Sequence, residues 1–210
     1  MDNNEMIPEK SASKERKENG NKFQSVVLSY LHDLVFLLVG LLLVFVLLFR
    51  IVVVEGPSMR STLMSGDSLL VLSSTLYGEP KQGDIIVASK DDFKDGRPIV
   101  KRVIAKAGQT VDIDFEMGTV YVDGVALDEP YTLTPTNTPE DPSLQAAFPM
   151  TVDDGCLFVM GDNRNLSNDS RYPQVGLIDE REVLGKVLFL VFPGEDPQTK
   201  TRDFSRWGAV

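Results

Sequence analysis

The chain has 210 residues, 42% of them hydrophobic and 25% charged, a composition of folded globular chains rather than disordered ones. Its formal net charge of -10 excludes nucleic acid as the main partner, because phosphate recognition needs a basic surface. That charge lies in residues 51–210, with 15 Lys/Arg against 25 Asp/Glu; residues 1–33, with five against six, are nearly neutral.

Residues 1–22 are polar, rich in Lys, Glu, Asn and Ser and without apolar period, and read as a disordered tail. Leu34–Phe49 follows, sixteen residues with no polar side chain. As a helix these rise about 24 Å, short of the ~30 Å hydrocarbon core. Extension to Val54 gives 21 residues if Arg50 snorkels to the interface. The run is long for a signal-peptide core and no small-x-small site follows it, so a retained span over 34–54 is the better reading. Lys14, Arg16, Lys17 and Lys22 precede it and only Arg50 and Arg60 follow closely. By the positive-inside rule, residues 1–33 are a cytoplasmic tail and 55–210 an extracytoplasmic domain in a single-pass cell-membrane protein.

That domain reads as mostly β. Runs dense in Val, Ile and Leu recur between Gly, Pro and Asp clusters: Ser68–Leu72, Asp84–Ala88, Ile99–Ala105, Thr119–Val122, Cys156–Met160 and Lys186–Phe192. Val122-Asp123-Gly124-Val125 predicts a hairpin with a two-residue type I′ turn. Residues 128–150 carry Pro130, Pro135, Pro139, Pro142 and Pro149 and read as an irregular excursion. The sole cysteine, Cys156, rules out an internal disulfide and, flanked by Leu157-Phe158-Val159, reads as a small buried hydrophobe rather than a nucleophile.

The single histidine, His32, precedes the span, so no Ser-His-Asp or Cys-His arrangement can form in residues 55–210. A histidine zinc site is excluded likewise, and no cysteine cluster replaces it. A hydrolase here needs a carboxylate or a lysine as its base. Glu55-Gly56-Pro57-Ser58-Met59 makes a tight turn that presents Ser58, although an ordinary polar turn reads the same way. In Ile99–Ala105, a period of two puts Lys101 on one face with Ile99 and Val103, with Val100 and Arg102 opposite. A lysine on an apolar face is driven toward its neutral form and can act as a base; an edge-strand surface lysine is the plainer alternative. A serine hydroxyl beside such an amine is a known activated nucleophile. Gly161-Asp162-Asn163-Arg164-Asn165-Leu166-Ser167-Asn168-Asp169-Ser170-Arg171 is a dense polar loop. It suggests a turn network with an Asp169–Arg171 pair; the sixth-position Gly and closing Glu of an EF-hand are missing.

The ordered set of Gly56-Pro57-Ser58-Met59 after a span, Gly83-Asp84-Ile85-Ile86-Val87, Val100-Lys101-Arg102-Val103-Ile104 and the 161–171 loop resembles bacterial type I signal peptidases, in the short single-span form of Gram-positive type. The resemblance covers roughly residues 30–192, and its loop motif is the most specific part. It implies a mostly antiparallel β catalytic core with a smaller β subdomain near residues 108–155, and a serine endopeptidase that removes signal peptides from secreted preproteins. It implies Ser58 as nucleophile, Lys101 as general base, and Ser167 as the hydroxyl orienting the lysine. Asp169 and Arg171 match an ion pair beside the site, and Asp162 and Arg164 match groups holding the loop. Val52, Val54, Met59 and Val100 match pocket positions for small residues at -1 and -3 of the preprotein. The implied partners are such preproteins and the lipid bilayer; no metal or cofactor is implied, and oligomeric state is left open. Two positions depart from the pattern. Gly56 stands where some members place a hydroxyl as second oxyanion donor, and Ser61 stands where a proline is usual, a change expected to affect turn rigidity only. A self-cleaving Ser/Lys repressor shares the dyad but carries a DNA-binding domain in place of a span. A non-catalytic, membrane-tethered β module that binds preproteins is the remaining alternative.

Overall fold

A computed structural model describes residues 9–90, 93, 96–137, 145–196 and 199–210, with side chains from Gln24 onward. The chain divides into two units, residues 1–47 and 48–210. The first is a single helix, α1 (Glu9–Leu48). Within it Gln24–Leu48 is long and apolar enough, by length and composition, to cross a membrane. Its large apolar side chains are exposed.

Two boundaries differ from expectation. The expected disordered tail is helical from Glu9, while residues 1–8 lie outside the described residues. Glu, Lys, Arg and Ala are strong helix formers, and extending an existing helix avoids the cost of nucleation. The apolar helix ends at Leu48 instead of Val54, because Phe49–Val53 forms strand β1. Branched Ile51, Val52 and Val53 favour extended backbone, and Phe49–Val53 pairs antiparallel along its whole length with β2 (Ser68–Ser73). Arg50 is thus an exposed strand residue rather than a snorkelling helix residue.

The second unit is mostly β. To β1 and β2 it adds β3 (Ile85–Ala88), β4 (Ile99–Lys106), β9 (Cys156–Met160), β10 (Ile178–Asp179), β11 (Val183–Phe192) and β12 (Gly208–Ala209) in an eight-stranded sheet. The order is β1-β2-β11-β3-β4-β9-β10, with β12 on β11, and the pairs are antiparallel. The short helix α2 (Ser74–Tyr77) follows β2. β5 (Thr110–Asp114), β6 (Thr119–Val122), β7 (Val125–Ala126) and β8 (Met150–Thr151) form a second sheet, ordered β7-β6-β5-β8, within the stretch 108–155. The Asp123-Gly124 turn has φ of +52° and +77°, as a type I′ hairpin requires, and Val122 pairs with Val125.

The large sheet is buried on both faces at its centre. Val71, Val87, Val100 and Val187 pack on one side with Val54, Met59, Leu63 and Leu69. Ile86, Ile99, Val103, Leu157 and Val159 pack on the other. A third cluster joins Ile104, Phe158 and Met160 of the large sheet to Val111, Val120 and Val122 of the small one. Each fully buried aliphatic side chain contributes about 1.5–3 kcal/mol. Ile86→Ala, at a fully buried position opposite Lys101, would cost about 2–5 kcal/mol. This burial on both faces explains why β3 and β4 carry apolar residues almost without alternation.

Candidate active site

The serine turn is built around apolar anchors. Gly56 has φ of +91°, open to glycine at little cost, and Pro57 fixes the next residue. Arg60 N–H donates to Pro57 O at 3.0 Å and Leu63 N–H to Met59 O at 2.8 Å, which closes a single tight turn. Val54, Met59 and Leu63, each at most 3% exposed, pin both sides of it into the core. Ser58 lies between those anchors. Lys101 reaches it from β4, 4% exposed, its Nζ donating to Ser58 Oγ at 2.8 Å and to Val100 O at 3.1 Å. Ser58 and Lys101, 43 residues apart, are therefore within proton-transfer distance.

A groove of about 240 Å³ opens beside them, with Val52, Val53 and Glu55 from one segment and Pro98, Ile99 and Val100 from another. Of the four expected pocket residues, Val52 and Val100 line this groove. Val54 and Met59 do not: they are buried in the core that holds the serine turn, so they shape the site from behind.

The 161–171 loop braces the turn directly. Asn163 N–H donates to Ser58 O and Asn163 Nδ2 to Pro57 O, both at 3.0 Å. Asp162 and Arg164 do not pair with each other. Asp162, fully buried, accepts Arg102 Nε and Nη2 at 2.8 and 2.7 Å and the Thr62 hydroxyl. Arg164, 2% exposed, takes both oxygens of Glu129 and donates to Thr136 Oγ1 at 3.2 Å and Gly161 O at 3.2 Å. Asp169 and Arg171 do pair, at 2.8 and 2.9 Å, both essentially out of solvent. Burial pushes the Asp169 carboxyl up, but Arg171 and the Gly161 N–H (3.0 Å) outweigh it and hold the group below its ordinary value.

Ser167 is buried beside the turn, and its Oγ has no hydrogen-bond partner. The expected bond from Ser167 to Lys101 is accordingly not formed in this geometry. Gly161 shows how tight the approach is: a Cβ there would lie 2.3 Å from Ser167 Oγ and 2.4 Å from Ser58 O. Ser61 departs further from expectation. Its φ of +106° is closed to proline, and its hydroxyl donates to Tyr131 O at 2.5 Å, so the residue does more than alter turn rigidity.

Glu129, Tyr131, Thr62, Asn163 and Arg102 were not foreseen as site residues. Period two placed Arg102 opposite Lys101, and an acid facing it across the sheet could have been sought, but Asp162 is 60 residues away. No group of three or more His, Cys, Asp or Glu able to hold a metal occurs among the described residues.

The chain is similar to known proteins. A family model described as signal peptidase, peptidase S26, matches residues 27–192. A probable signal peptidase I-1 of Synechocystis sp. (strain ATCC 27184 / PCC 6803 / Kazusa) is 38% identical over 180 residues, which are 80% of this chain and 81% of that protein. A signal peptidase I of Bacillus amyloliquefaciens is 40% identical over 160 residues, 73% of this chain and 79% of that one. A crystal structure of a signal peptidase I from Enterococcus faecalis aligns with TM-score 0.42 at 32% identity, over 52% of this chain and 97% of that one. With the model match covering most of its length and relatives this close, the chain belongs to the signal peptidase family, peptidase S26.

Proposed function

We propose that Ser58 and Lys101 are the catalytic pair of this family's reaction, the removal of signal peptides from secreted preproteins by a serine endopeptidase. The 2.8 Å approach of a buried lysine amine to a serine hydroxyl is the observation that carries the reading. Burial disfavours the ammonium form, and the neutral amine can take the Ser58 proton as Oγ attacks the scissile carbonyl. The resulting ammonium then protonates the leaving amine, and the acyl-serine is hydrolysed by water with the same lysine as base. The backbone N–H of Ser58 supplies one donor to the oxyanion, a type of contact that typically contributes a factor of about 10²–10³. Ser167, buried beside the Ser58 turn, is the hydroxyl we assign to orienting the Lys101 amine, the role the family resemblance implies.

The branched side chains of Val52 and Val100, two of the groove's walls, favour small residues at -1 and -3 because they reject bulk by overlap. Gln24–Leu48 anchors the chain in the bilayer, with the N-terminal segment that carries Lys14, Arg16, Lys17 and Lys22 cytoplasmic and residues 49–210 outside. A preprotein held in the same membrane would meet the enzyme at raised effective concentration. Purified full chain in detergent, given preproteins with Ala-x-Ala or Phe-x-Phe before the cleavage site, should cut only the first. N-terminal sequencing of the product should place the cut after the -1 alanine. Cleavage of both at equal rates would refute the pocket assignment, and binding without cleavage would favour a tethered binding module.

A further inference from the structure

Residues 128–137 leave the small sheet after β7 and reach the site through four sets of contacts. Tyr131 O accepts the Ser61 hydroxyl at 2.5 Å. The Tyr131 ring covers the Arg102 guanidinium, 3.9 Å from Cζ to the ring centroid. Glu129 grips Arg164 with both oxygens, and Asn165 Nδ2 donates to Thr134 Oγ1 and Pro135 O at 3.0 and 3.2 Å. Every contact falls on one of the three segments that carry the dyad and its brace: the serine turn, β4 and the 161–171 loop.

Arg102 is the junction. Its edge is occupied by Asp162 and by Gly83 O at 2.8 Å, and its flat face by Tyr131. The Tyr131 hydroxyl donates to Glu129 Oε1 at 2.9 Å, which sets the ring's orientation. Burial first and Glu129 second raise the Tyr131 pKa far above its ordinary value, so the hydroxyl stays a donor. Arg102 is bonded through the backbone to Lys101, and Asp162 to Asn163, whose N–H holds Ser58 O. A guanidinium fixed on its edge by a carboxylate and on its face by a ring has little freedom left.

We propose that Tyr131 is a positioning residue of the peptidase reaction: by clamping Arg102 against Asp162, it holds the Lys101 amine and the Ser58 turn at hydrogen-bond distance. The proposal rests on the reading of Ser58 and Lys101 as the dyad. Tyr131 touches neither, so its effect is on rate rather than on substrate binding.

The test uses the full chain in detergent with a cleavable preprotein, with rates expressed per folded molecule from unfolding curves in the same detergent. Tyr131→Leu removes the ring face, and kcat should fall about tenfold with KM within twofold, the scale of a desolvated cation–ring contact. The acid limb of its pH–rate profile should move to higher pH, because a loosened site admits water around the amine and favours the ammonium. Tyr131→Phe keeps the ring and should retain most of the rate. Arg102→Lys keeps the charge but not the flat face; it should show the same loss, and the double variant should lose no more than either single one. Ser58→Ala, measured alongside, separates the two levels. An active Ser58→Ala overturns the dyad reading and this proposal with it. An inactive Ser58→Ala with kcat of Arg102→Lys and Tyr131→Leu at the parent value overturns the clamp alone.

Discussion

Asp169→Asn breaks a charge pair that is closed to water on both sides. Asp169 is 0% and Arg171 1% exposed, and the carboxylate takes Arg171 at 2.8 and 2.9 Å and the Gly161 N–H at 3.0 Å. Asparagine keeps the shape and can still accept one bond, but it leaves the Arg171 charge buried without its counter-ion. Removal of one member of such a pair costs about 3–5 kcal/mol. For a unit of this size each kcal/mol moves Tm by roughly 2–4 °C, so the lower figure of about 3 kcal/mol gives a fall of about 6–12 °C at pH 7. Fluorescence of Trp207, the chain's one tryptophan, reads the transition of the β unit in detergent without interference from α1. The effect is pH-dependent with a definite sign. The folded carboxyl lies below its ordinary value of 3.8, so as pH falls the unfolded chain binds the proton first. The pair's contribution is complete above that value and is lost as pH drops through the folded pKa, so the gap between parent and variant should narrow in acid. A Tm change under about 2 °C at pH 7, or a gap that widens below pH 4, would refute the reasoning.

Other expectations follow from neighbouring contacts. Gly161→Ala puts a methyl 2.3 Å from Ser167 Oγ and 2.4 Å from Ser58 O, and a displacement of about 1 Å should cost on the order of 10²-fold in kcat/KM; parent-level cleavage by the folded variant would contradict this. Arg206→Ala removes the partner of the fully buried Asp67, leaving it with the N–H groups of Met64 and Gly194, and should cost about 3 kcal/mol by denaturant unfolding. Ser61→Pro cannot adopt φ of +106° and loses the bond to Tyr131 O; the variant should lose over 1 kcal/mol of stability and cleave more slowly.

Much of this site was legible because its signals are local. Gly56-Pro57 before Ser58 and the apolar neighbours of Lys101 are read within a few residues, and the absence of a second histidine needs only a count. The strands dense in aliphatic and aromatic residues, β2, β3, β4, β6, β9 and most of β11, were legible for the same reason. β1 was not, because the apolar run from Leu34 to Val54, interrupted only by Arg50, fits a helix and a buried strand equally well. β5 was missed although Thr110-Val111-Asp112-Ile113-Asp114 alternates, because two acids in five residues dilute its strand signal. Contacts across long separations were hidden. Ser61 to Tyr131 spans 70 residues and Asp162 to Arg102 spans 60, and nothing local to 128–137 distinguishes a clamp from a proline-rich excursion. Ser167 was foreseen at the site, yet its unpartnered hydroxyl is visible only in three dimensions.

The central claim is that the buried Lys101 amine, 2.8 Å from Ser58 Oγ, is the base for acyl transfer. Single-turnover cleavage of a preprotein by Lys101→Met, which keeps length and packing without the amine, tests it most directly. The expected result is a folded protein that binds preprotein as the parent does but cleaves it 10²- to 10⁴-fold more slowly, roughly the contribution of a positioned base. Cleavage at the parent rate would contradict it.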